Sequence, residues 1–154
     1  METKRKKWIT AAVIFMLCFI WGHSAVSAEV SKIESAAVGG FLTPFLELFA
    51  GQGNVTDHLV RKLAHFAEYA ALGFLLGLRT RSGGRPSGHS VYHTLLNAMA
   101  AALADESIQL LSNGRGAQVT DILLDTAGAA FGIAAALVIC AVVRAKKPGK
   151  TDKN

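Results

Sequence analysis

The sequence predicts an all-α fold, a polytopic membrane bundle of four transmembrane helices with both termini in the cytoplasm. Three observations lead there. Hydrophobic residues make up 51% of the 154 positions, and mean hydropathy is +0.35, high for a soluble domain. The apolar residues gather in four blocks, and the basic residues gather between alternate blocks. The blocks run from Trp8 to about Ala28, His58 to Leu78, Val91 to Leu111, and Val119 to Val143. Each is close to the ~20 residues a helix needs to cross a hydrocarbon core. Inside lipid each must be helical, because backbone groups find no water there.

Lysine and arginine orient the bundle. The N-terminus "METKRKK" has four, the linker "RTRSGGRPSGHS" has Arg79, Arg81 and Arg85, and the tail from Arg144 has five, together 12 of the 16 basic residues. Four crossings put all three segments on one side, which the positive-inside rule makes the cytoplasm. Nine of the 11 acids fall elsewhere. The expected organisation is a basic N-terminus at 1–7, a membrane domain at 8–143 and a disordered basic tail at 144–154. Within the domain, 29–57 lies outside and 79–90 is a cytoplasmic loop; "VGGFLTPFLELFAG" is read as containing a short interfacial helix. The first block, ending "AVSA" before Glu29, also reads as a signal peptide cleaved after Ala28.

The net charge of +5 sits beside apolar blocks, which fits an anionic membrane surface. The lipid bilayer is therefore the expected partner, and with no RNA- or DNA-binding signature no nucleic-acid partner is expected. Cys18 and Cys140 both fall inside apolar blocks and read as small apolar fillers.

Polar residues inside the blocks mark the candidate site. In "RKLAHFAEYAALGFLL", Arg61, His65, Glu68 and Leu72 share a helix face. His65 and Glu68 lie roughly 10 and 15 Å below the outer end. A carboxylate facing lipid there would cost about 3 kcal/mol, so this face points inward. Block three ends "ALADESIQLLSNGRG", with Asp105 and Gln109 on one face and Glu106 about 100° away. Block four begins "QVTDILLDTAGAAFG", with Asp121 and Asp125 four apart. Arg61 and Arg115 are the cations within reach, and His58 sits at the mouth; His23, His89 and His93 are placed outside the cluster. The expectation is a polar cavity in the outer half of the bundle. Gly73 with Gly77, and Gly128 with Gly132, form G-x-x-x-G pairs that allow close helix packing.

Clustered carboxylates suit Mg²⁺ or Ca²⁺, and Asp105, Glu106, Asp121 and Asp125 are the residues that could hold one. A lone histidine argues little for zinc. No metal or other cofactor is assigned, and no G-x-S-x-G, H-E-x-x-H or Walker pattern occurs. If the site is catalytic, the candidates are His65, Glu106 and Asp125.

These residues also carry a resemblance. "VRKLAHFAEYAALGFLLG" followed by "ALADESIQLLSNGRGAQVTDILLDTAGAAFG" resembles the VanZ-like family of bacterial membrane proteins over roughly residues 55–135. Its pattern falls on Lys62, His65, Phe66, Tyr69, Leu72 and Gly73, then on Asp105, Glu106 and Gln109. It continues through Gly114 and Arg115 to Asp121 and Asp125. The stretch "WGHSAVSAEVSKIES" is serine-rich but lacks the Phe-Ser-x-Gln pattern often seen in the family. The resemblance implies an uncleaved first helix and adds Tyr69 to the site. It also implies a cell-envelope role related to low-level resistance to the glycopeptide antibiotic teicoplanin. Three functions follow as expectations. One is binding of a cell-wall precursor or lipid-linked ligand. The second is intramembrane catalysis on a lipid-linked phosphate or acyl group. The third is a proton relay through His65 and Glu68.

Overall fold

The computed structural model describes residues 2–26, 40, 47–48, 55–112, 116 and 118–146. The described residues are all-α, with four long helices and no strand: α1 (Glu2–Ser24), α2 (Asp57–Arg81), α3 (Gly88–Leu111) and α4 (Val119–Ala145). Each apolar block has become one helix. The ends differ where capping chemistry extends them. Thr56 caps α2 by accepting from the Leu59 N–H at 3.2 Å, and Ser87 caps α3 by accepting from Ser90 N–H at 3.2 Å. The α2–α3 turn uses Gly84 at φ 119°, a conformation that favours glycine. The expected interfacial helix within 29–57 and the tail beyond 146 lie largely outside the described residues.

Helices α1 and α4 are long and apolar enough to cross a membrane. Helices α2 and α3 match them in length but fall short on composition. Glu68, Lys62 and Arg61 dilute α2; His89, His93, Asn97, Asp105 and Glu106 dilute α3. The expectation of four crossings is thus met by length in four helices and by composition in two.

Contacts between helices fix their directions. Trp21 Nε1 of α1 donates to the Ala101 carbonyl of α3 at 3.3 Å, and Ser112 Oγ donates to the Ser24 carbonyl at 3.1 Å, so α1 and α3 run the same way. Arg79 Nε of α2 donates to Thr10 Oγ1 of α1 at 3.1 Å, and the Thr80 and Thr94 hydroxyls pair at 2.7 Å. Helix α2 therefore opposes both.

The most extensive contact is α2 against α4, and it rests on both glycine pairs. A Cβ at Gly73 would collide with the Ala129 backbone, and one at Gly132 with the backbone of Ala70 and Phe74. At Gly77 a Cβ would stand 2.9 Å from Ala136 Cβ, and at Gly128 2.5 Å from the Phe66 carbonyl oxygen. Small residues let the two backbones touch. Tyr69, Leu72, Ala98, Ala102, Ala129 and Ile20 complete the core.

Helix α1 is an integral wall of this bundle, since Ile20 and Ser24 are fully buried. Trp21→Phe keeps an aromatic ring but removes the indole donor that ties α1 to the Ala101 carbonyl of α3. It is expected to cost about 1 kcal/mol, read as a lower thermal midpoint in detergent with unchanged helicity.

Candidate functional site

The inward stripe of α2 is His65, Tyr69, Leu72, Gly73 and Gly77, the i, i+4, i+7 spacing of one helix face. This shifts the emphasis from the face expected at Arg61, His65, Glu68 and Leu72. Glu68 turns partly toward α1, where its Oε1 lies 3.5 Å from His23 Nδ1. The His23 ring stacks over His65 with centroids 6.3 Å apart. His23 thus joins the cluster from which the sequence reading excluded it. No side of α1 is distinctly polar, so its pattern does not show which face turns inward. Its polar ending "GHS" at the C-terminal end was the available signal.

Asp105 and Glu106 of α3 are 0% and 2% exposed. Adjacent residues on a helix point about 100° apart, and both are buried because each meets a different neighbour. Asp105 Oδ2 lies 3.7 Å from His65 Nδ1 of α2 and accepts from Gln109 Nε2 at 3.3 Å. Glu106 Oε1 accepts from the backbone N–H of Gln118, the residue that precedes α4. Gln109 also reaches Ser24 Oγ of α1 at 3.5 Å, so a buried serine absent from the sequence-based set supports it.

On α4, Asp121 and Asp125 share a face but not an environment. Asp121 is bonded by Lys62 Nζ at 2.8 Å, both side chains being about a quarter exposed. The cation that pairs within the site is thus Lys62, whereas Arg61, expected as a cation within reach, forms no ion pair among the described residues. Asp125 is 2% exposed, and its Oδ1 has no hydrogen-bond partner among the described residues; nor has the buried Tyr69 hydroxyl. One donor atom each from His65, Asp105 and Asp125 lies within 4.8 Å of the others.

A cavity of about 20 Å³ adjoins these groups, lined by His58, Arg61, Lys62, His65, Gln109, Asp121, Leu124 and Asp125. That volume holds about one water molecule. The interior site is therefore tight, with cationic and imidazole groups at its mouth. Of the expected site residues, Arg61, His65, Glu68, Tyr69, Asp105, Glu106, Gln109, Asp121 and Asp125 gather around the N-terminal half of α2, the C-terminal end of α3 and the N-terminal end of α4. Arg115 lies outside the described residues.

The sequence profile of the VanZ/LLP1 family matches residues 9–141. The chain belongs to the VanZ/LLP1 family. No curated protein matches the chain, and no solved structure does. The VanZ/LLP1 match runs from within α1 to within α4, so α1, with His23 and Ser24, is part of the family unit. Membership and the two long apolar helices are consistent with a membrane protein.

Proposed function

We propose that this VanZ/LLP1 protein crosses the bacterial membrane four times with both termini inside. In this reading its outer-half polar site binds the polar head of a cell-wall precursor or lipid-linked ligand and so lowers susceptibility to teicoplanin. The observation that carries the reading is the mouth of the cavity. His58 and Arg61 stand together where α2 begins, lining the same cavity as the buried His65 and Asp125, with Lys62 beside them paired to Asp121. A mouth of this kind suits a phosphate or carboxylate group. The interior is too small for more than a water or an ion, so the ligand's head docks at the mouth.

The four-crossing topology is supported by two features. The basic segments fall on one side of an up-down-up-down bundle. Large apolar side chains also face outward, with Phe15 72%, Phe131 64% and Leu123 62% exposed, as lipid contact favours. Single cysteines at Gly83 and Gly116 test it in a background lacking Cys18 and Cys140. An impermeant maleimide is expected to label the Gly116 site on intact cells and the Gly83 site only after permeabilisation. The reverse pattern contradicts the orientation.

A second reading, intramembrane acid–base catalysis on a lipid-linked phosphate or acyl group, is favoured by the lone Asp125 oxygen beside His65 and Asp105. His65, Glu106 and Asp125 are its candidate catalytic groups.

The deciding experiment is teicoplanin susceptibility of a deletion strain complemented with wild type or Arg61→Gln at matched expression. The ligand reading expects wild type to restore tolerance and Arg61→Gln to fail, with an outer-leaflet lipid co-purifying with wild type alone. Full complementation by Arg61→Gln contradicts it, and a chemically altered lipid product favours catalysis.

A further inference from the structure

We propose that His65, Asp105 and Asp125 form a mononuclear site for a divalent transition-metal ion of the Zn²⁺ or Mn²⁺ class, where α2, α3 and α4 converge. This goes beyond the ligand reading above and does not depend on it.

Donor chemistry comes first. One imidazole and two carboxylates are a mixed nitrogen–oxygen set, which suits Zn²⁺ or Mn²⁺ better than the all-oxygen shells of Ca²⁺ and Mg²⁺. The three donor atoms lie within 4.8 Å of one another. Around an ion with bonds of about 2.1 Å, tetrahedral ligands stand roughly 3.4 Å apart, a distance reached by rotamer-scale adjustment.

An independent observation points to a missing partner. Asp125 is 2% exposed, yet its Oδ1 has no hydrogen-bond partner among the described residues. Buried carboxylates are ordinarily paired or coordinate metal. Lys62 is bound to Asp121 at 2.8 Å rather than to Asp125. A divalent ion with two carboxylates and a neutral imidazole is electrically neutral, which suits a low-dielectric interior. The adjoining cavity, lined by both His65 and Asp125, has room for about one water, the usual occupant of an open fourth position.

The support around the site fits the same reading. Gln109 Nε2 donates to Asp105 Oδ2 at 3.3 Å and so holds that carboxylate in orientation. Glu106, bound to the Gln118 N–H, and Asp121, bound to Lys62, are engaged elsewhere. This narrows the four carboxylates the sequence suggested to two and adds the histidine.

The test uses the full chain in detergent, stripped with chelator, desalted, and titrated separately with Zn²⁺, Mn²⁺ and Mg²⁺. The expected result is one Zn²⁺ or Mn²⁺ retained per chain by elemental analysis, with a raised thermal midpoint and no matching effect of Mg²⁺. Asp125→Asn loses the ion, and Asp121→Asn keeps it. Gln109→Leu weakens binding by about 10- to 100-fold, the usual effect of removing a hydrogen bond to a ligand. Wild type that retains no ion, or a folded Asp125→Asn that retains it as wild type does, overturns the proposal. Should Asp125→Asn fail to fold, electron spin-echo spectra of Mn²⁺ on wild type decide. Coupling to one histidine nitrogen supports the site, and an all-oxygen shell overturns it.

Discussion

Gly132→Val removes most of the folded protein. Its new Cβ would meet the backbone of Ala70 and Phe74 on α2. Backbone cannot rotate aside as a side chain can, so α2 and α4 must separate. Overpacking a core commonly costs 1–3 kcal/mol, and a side chain driven into backbone belongs at about 3 kcal/mol or above. The largest helix interface of the bundle is the one lost. The midpoint is expected to fall by roughly 6–12 °C, at about 2–4 °C per kcal/mol for a chain of this size, with little monodisperse protein recovered. Gly22→Ala is the control, because a Cβ there meets nothing within 4 Å and alanine is the better helix former. Equal behaviour of the two variants contradicts the packing account.

Asp125→Asn should separate function from stability. The amide is nearly isosteric with the carboxyl group, which is 2% exposed. If Asp125 served the fold, the exchange would destabilise it. Its Oδ1 makes no hydrogen bond among the described residues, so the exchange breaks no bond there, and an uncharged amide needs no ionic partner in the interior. In the presence of chelator the thermal midpoint is expected at or above the wild-type value. In cells the variant is expected to fail to restore teicoplanin tolerance at wild-type abundance.

Much of this was legible from residue order. Block length gave the helices, because an apolar run of about 20 residues reads as one long helix. The i, i+4 spacings marked the faces that carry His65, Asp105 and Asp125, and the G-x-x-x-G pairs marked the α2–α4 contact. Rotation was less legible. Helix α1 has no distinctly polar side, so nothing in its pattern aims His23 at Glu68. The partner of Asp121 was also hidden. Lys62 and Arg61 are neighbours in sequence, and only the packing of α2 on α4 decides which of them reaches the carboxylate. Cavity size depends on side chains from several elements at once, and it turned an expected ligand chamber into a tight pocket with a mouth.

The central claim is that the buried cluster serves function rather than the fold. The most direct measurement pairs two readouts on Asp125→Asn: its thermal midpoint in detergent with chelator, and its restoration of teicoplanin tolerance to a deletion strain at matched abundance. The account predicts a midpoint at or above wild type together with lost tolerance. Full tolerance, or tolerance lost only in step with a fallen midpoint and fallen abundance, contradicts it.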